Sequence, residues 1–111
     1  MGEKGAKETQ DAAEIAEVLV AEFGSLGPVE AKKMFGGFGI FSDAVMFALV
    51  DSQGTAYLRA DPQATVAFTD EGSAKHGRMP YWQIPGRVLA DPELLAGWGR
   101  TALLVAQAAK K

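Results

Sequence analysis

Between Val29 and Arg59 the chain carries four segments that read as strands, Val29 to Phe35, Phe38 to Phe41, Val45 to Val50 and Thr55 to Arg59, divided by connections of only a few residues. Parallel strands need a crossover of a dozen residues or more, so connections this short join only antiparallel neighbours. The segment is therefore expected to fold as a meander of about four strands. Val45 to Val50 is almost continuously apolar, which predicts a central strand. Thr55 to Arg59 alternates, with Tyr57 and Arg59 on one side and Ala56 and Leu58 on the other. Asp51-Ser52-Gln53-Gly54 supplies the turn residues between these two runs. The first connection is the glycine-rich stretch Met34-Phe35-Gly36-Gly37-Phe38-Gly39. A phosphate-binding loop places its glycines between a strand and a helix. Strand residues follow here instead, so the glycines are read as a bulge, a sharp bend or a close backbone approach.

Helical signals flank the meander. Ala12, Ile15, Ala16, Leu19 and Phe23 fall on one face at helical spacing, so a helix is expected from Asp11 to Gly24, where Gly27-Pro28 completes the break. Residues 1–10 are expected to form a disordered tail, and residues 11–111 a single domain. Asp61-Pro62 has the pattern of an N-cap followed by proline at the first helical position, predicting a short helix over Pro62 to Asp70. Met79 to Ile84 reads as an edge strand, because Pro80 and Pro85 cannot donate to a ladder. Asp91-Pro92 repeats the capping pattern and opens a last helix to about Ala109, followed by Lys110-Lys111. The order α-β-β-β-β-α-β-α lacks a strand–helix–strand alternation. It points to an α+β fold of two layers, an antiparallel sheet of about five strands with helices packed on it.

Composition narrows the chemistry. At 111 residues the chain fits one domain. It has no cysteine, which excludes disulfides, thiolate metal sites and cysteine nucleophiles. No apolar stretch approaches the ~20 residues of a membrane span, and the polar start from Met1 to Gln10 is unlike a secretory signal. The net charge of −3 argues against general nucleic-acid binding as the main activity. Even so, residues 72–90 hold Lys75, His76, Arg78 and Arg87 with no acid.

No catalytic constellation stands out. His76 is the only histidine, with no second histidine or cysteine to build a zinc-type site, and it reads as a solvated loop residue. No serine lies in a Gly-x-Ser-x-Gly elbow. No catalytic, cofactor-binding or metal-ligating residue is expected. The candidate interaction surface joins the aromatic pair Tyr81 and Trp82 to the basic residues Lys32, Lys33, Arg59, Lys75, Arg78 and Arg87. Aromatic faces beside guanidinium groups stack bases or anchor protein contacts, although an alternating strand turns one aromatic inward. In the last helix Leu94, Leu95, Trp98, Ala102, Leu103, Leu104, Val105 and Ala108 spread over more than one stripe, as in a central packing helix or a homodimer interface, for which Leu94, Leu95, Trp98, Ala102 and Val105 are the candidates. Gly97 and Gly99 flank Trp98, so a close approach to the backbone is expected there.

Five segments in order carry a family resemblance: Lys33 to Phe41, Val45 to Val50, Tyr57 to Asp61, Met79 to Pro85 and Asp91 to Leu95. Together they resemble the TfoX N-terminal domain family, named for a regulator of bacterial competence genes, over about Asp11 to Ala109. The resemblance implies a fold similar to that of secretion chaperones, which often dimerise. It also implies a bacterial, cytoplasmic, non-enzymatic module that contacts a protein partner or a second copy, with no cofactor and no membrane. The family's regulators carry a second, C-terminal domain, and this sequence stops at Lys111, so the competence role is not carried over. Two other functions stay open: a nucleic-acid-associated transcriptional regulator and a small-ligand-binding domain.

Overall fold

The computed structural model describes residues 4–34 and 36–110. Helix α1 (Lys4–Phe23) leads through a 3-10 turn (Gly24–Leu26) into strands β1 (Glu30–Met34), β2 (Gly37–Ser42), β3 (Val45–Val50) and β4 (Ala56–Arg59). Helix α2 (Thr65–Asp70), strand β5 (Tyr81–Gln83), and helices α3 (Gly86–Leu89) and α4 (Pro92–Lys110) follow. All five strands form one antiparallel sheet in the order β1-β2-β3-β4-β5, so sheet order repeats chain order. This is the expected two-layer α+β architecture, with β3 at the centre and β5 at an edge.

Several boundaries differ from the sequence reading. α1 begins at Lys4 rather than Asp11, so the disordered tail expected over residues 1–10 gives way to helix from Lys4 onward. Apart from Gly5 and Thr9, the stretch from Lys4 to Gln10 consists of lysines, an alanine, a glutamate and a glutamine, strong helix formers that favour extension of a nucleated helix. Residues 1–3 of that tail lie outside the described residues. α2 begins at Thr65 rather than Pro62, because a turn over residues 62–64 comes first. Asp61 caps that turn and not the helix: its Oδ1 accepts the Ala64 N–H at 2.7 Å, and Ala64, the N-cap of α2, has no side-chain cap. α3 was not expected at all, since four residues are too few to show a helical period.

The turns explain the sheet's register. Met34 pairs with Gly37, leaving a two-residue connection that ends in Gly36 at φ +80°. Ser42 pairs with Val45 across Asp43 and Ala44, whose φ values of +51° and +67° mark a mirror-image turn suited to strand twist. Asp51 Oδ1 accepts the Gln53 and Thr55 N–H groups at 3.0 and 2.9 Å and closes the β3–β4 connection.

Pairing sorts the side chains into two faces. Ala31, Ile40, Ala48, Leu58 and Trp82 form a row directed at the helices. Lys32, Gly39, Leu49, Tyr57 and Gln83 form the neighbouring row on the opposite, open face. α1 packs over β1 to β3, and α4 over β3 and β4 beside α1. Ala12, Ala16, Leu19 and Phe23 of α1 meet Ile40, Phe47, Ala48, Val50 and Leu58 of the sheet in one buried cluster, which also takes in Leu95 and Ala102 of α4. Each large apolar side chain buried this way contributes roughly 1.5–3 kcal/mol. A bulge between β2 and β3 leaves Phe47 as the extra residue, and its ring packs on Phe23 with centroids 5.3 Å apart.

Candidate functional site

The glycine stretch proves to be a backbone device. A Cβ at Gly37 would lie 2.0 Å from the Val50 carbonyl oxygen, so only glycine fits against β3. At Gly39 a Cβ would meet the sulfurs of Met34 and Met46 and the Phe41 ring at 2.5 to 2.8 Å. Gly99 plays a comparable part in α4, where the Phe23 ring lies 2.3 Å from its Cβ position. Gly97 has open space at the same point.

The basic residues named from the sequence are spread over the molecule. Lys32 and Lys33, adjacent on edge strand β1, point to opposite faces. Lys32 Nζ stands 5.0 Å from the centre of the Phe41 ring on the open face. Exposed lysines on such a strand also discourage edge-to-edge pairing. Lys75 bridges to Trp82 beyond β5, which puts it on the helix side. Arg78 is exposed in the loop before β5. Arg87 on α3 forks onto the Glu71 carboxylate, its Nε donating at 3.0 and 3.1 Å. That guanidinium holds the Glu71 carboxyl below its usual range.

The aromatic pair divides differently. Tyr81 is only 1% exposed, so it is not available as a contact surface. Its hydroxyl donates to the Met46 carbonyl at the bulge, 3.1 Å away, and Arg59 stands 5.9 Å from the centre of its ring. Burial pushes the Tyr81 phenol above its usual range, and the Arg59 hydrogen bond and charge pull partly the other way. Trp82 is half-buried against Phe68, with ring centroids 6.4 Å apart, and Trp98 meets the same Phe68 edge-on at 5.0 Å. In α4, Leu95 and Ala102 are buried within this chain, and Leu94 and Trp98 are half-buried against the same core, so these four work as intramolecular packing. Val105 is half-buried but lies outside that core cluster. Leu104, at 60% exposed, is the large apolar residue that α4 leaves outside.

Three cavities among the described residues are built from this arrangement. The largest, about 330 Å³, lies between Met46, Arg59, Met79 and Tyr81 and the end of α4 at Ala106. One of about 220 Å³ lies between α2 and α4, lined by Arg59, Ala64, Phe68, Trp98 and Ala102. A third, about 90 Å³, lies on the open face of the sheet under the loop that precedes β5. His76 lines it and is not the solvated residue expected from the sequence. Its Nδ1 is buried without a hydrogen-bond partner, and its ring meets Tyr57 edge-on at 4.7 Å. The Tyr57 hydroxyl donates to Asp51 Oδ2 at 3.2 Å. Burial first, then the Asp51 charge and this hydrogen bond, raise the Tyr57 phenol above its usual range. Nothing local in the sequence marks these residues as neighbours: the sheet and a folded-back loop bring them together.

Comparison with known proteins bears on the segment that builds this sheet and its helices. The profile of the TfoX N-terminal domain matches residues 21–106. The chain belongs to the TfoX N-terminal domain family. The match starts within α1 and ends near the last turns of α4, so it takes in every strand. No curated protein matches the chain as a relative. Among the described residues, this TfoX N-terminal domain has no helix long and apolar enough to cross a membrane. Nor is there, among the described residues, a cluster of three or more His, Cys, Asp or Glu side chains placed to hold a metal.

Proposed function

We propose that this chain is a non-catalytic, cytoplasmic regulatory module that works by contacting another protein or a second copy of itself. The observation that carries this reading is the use made of its polar side chains. The carboxylates of Asp51, Asp61 and Asp91 accept backbone N–H groups of their own turns and helix starts. The Tyr81 hydroxyl is spent on the Met46 carbonyl, and Glu71 on Arg87. Groups that hold the backbone in register are poorly suited to proton transfer, which needs a side chain free to meet substrate. The likeness to competence regulators supports a regulatory role. Val18 and Leu104, exposed by 44% and 60% on the adjoining helices α1 and α4, supply apolar contacts for a partner.

Light scattering across a concentration series, joined to a pull-down from cell extract, tests the reading. Self-association that Leu104→Glu weakens is the expected result. A strict monomer at every concentration that also retains no partner overturns it.

A second reading rests on the cavity between α2 and α4. A lining that combines one arginine, Arg59, with the aromatic residues Phe68 and Trp98 fits a small apolar carboxylate. Trp98 and Trp82 fluorescence should then change as benzoate-like probes are added, with saturation that Arg59→Ala removes. An unchanged spectrum dismisses this reading.

A further inference from the structure

Three of the chain's four methionines, Met34, Met46 and Met79, line the open-face cavity together with His76. They come from different places: the end of β1, the start of β3 and the loop before β5. Two of the sulfurs are drawn together over Gly39. A Cβ there would stand 2.5 Å from Met34 Sδ and 2.8 Å from Met46 Sδ, so the sulfurs lie no further apart than those distances combined. The loop brings the other two side chains in. The His76 N–H donates to the Tyr81 carbonyl at 2.8 Å, and the Met79 N–H returns to the His76 carbonyl at 3.0 Å. Gly77, at φ +55°, allows that tight reversal. The edge-on contact with Tyr57 steadies the imidazole.

Methionines also serve as plain apolar filler, but filler does not explain the histidine. A buried ring nitrogen without a hydrogen-bond partner is uncommon in a native structure and calls for a reason. Thioethers and a neutral imidazole form an uncharged, soft donor set. Such a set suits Cu(I) and is poor for Mg²⁺ or Ca²⁺, which require oxygen. Asp51 lies on the same cavity, its carboxylate oxygens engaged by Gln53, Thr55 and Tyr57. It supplies a nearby negative charge for a monovalent cation without serving as a ligand. A count of cysteine and histidine in the sequence cannot see such a site, because its main donors are thioethers.

We propose that Met34, Met46, Met79 and His76 form a binding site for a soft monovalent metal ion, Cu(I), with Ag(I) as its redox-inert stand-in. The whole chain is titrated with silver nitrate in chloride-free buffer while the methionine methyl resonances are followed by NMR. One equivalent should shift the Met34, Met46 and Met79 methyls and the His76 ring signals, and leave Met1 unchanged. Competition against a colorimetric Cu(I) chelator under anaerobic, reducing conditions then gives the affinity. Met46→Leu and Met79→Leu conserve shape and keep the fold, and each should weaken binding at least tenfold. Circular dichroism of both variants should match the parent. Methyl signals that stay in place at one equivalent overturn the proposal, as do leucine variants that hold the ion as tightly as the parent. Either result leaves the methionines as packing alone.

Discussion

Residues whose backbone does something unusual are the most sensitive points of this chain. Gly37 faces the Val50 carbonyl oxygen at 2.0 Å from any added Cβ, and that neighbour is backbone with no rotamer to change. Gly37→Ala should therefore cost about 3 kcal/mol, at the upper end for overpacking. The measurement is a fall in the urea midpoint. Ala44 is the opposite case. Its φ of +67° is strained for any residue with a Cβ. Ala44→Gly should stabilise the protein by about 0.5–1 kcal/mol, seen as a higher urea midpoint with an unchanged slope. The glycine run was legible in the sequence as a backbone device. The burial of His76 was not, since its neighbours along the chain, Lys75, Gly77 and Arg78, all read as exposed loop. Only its contacts with Tyr57 and the open face reveal it.

At the scale of the element, α4 holds a matched pair. Gly97 and Gly99 sit two positions apart, one facing open space and the other the Phe23 ring. Gly97→Ala should gain about 1 kcal/mol of helix propensity. Gly99→Ala gains the same propensity but drives a Cβ into a ring that is itself wedged on Phe47, for a net loss of about 1–2 kcal/mol. Thermal unfolding of the two variants should move in opposite directions. Elements with strong local signals were legible: the Asp91 cap lies where the sequence put it, and β3 has the expected bounds. The start of α2 slipped because Asp61 caps the turn over residues 62–64, and the helix begins only after it. The candidate surface was less legible. Alternation showed that Tyr81 and Trp82 face opposite ways, but which face was covered depended on the loop before β5. That loop and the start of β3 turn Tyr81 into a buried residue.

For the molecule as a whole, the two tyrosines define an alkaline limit. Both phenols are raised above their ordinary range, Tyr57 and Tyr81 alike chiefly by burial. Their contribution is fully present below the unfolded value of about 10. Above it the unfolded chain sheds protons that the folded chain keeps, so stability declines until pH passes the raised folded values. Urea unfolding at pH 8 and pH 11 should show this decline, and the Tyr57→Phe, Tyr81→Phe double variant should show a smaller one. The overall architecture was the most legible level, because short connections left little choice of topology.

Because sheet order repeats chain order, each new strand has its partner already waiting as it leaves the ribosome. The face that α4 covers behaves otherwise. Until translation has passed Pro92 and released α4, the helix-facing side of β4 and the part of β3 that α1 does not cover lie bare. A chain arrested at that stage has all five strands yet leaves part of its apolar face open to chaperones until α4 docks.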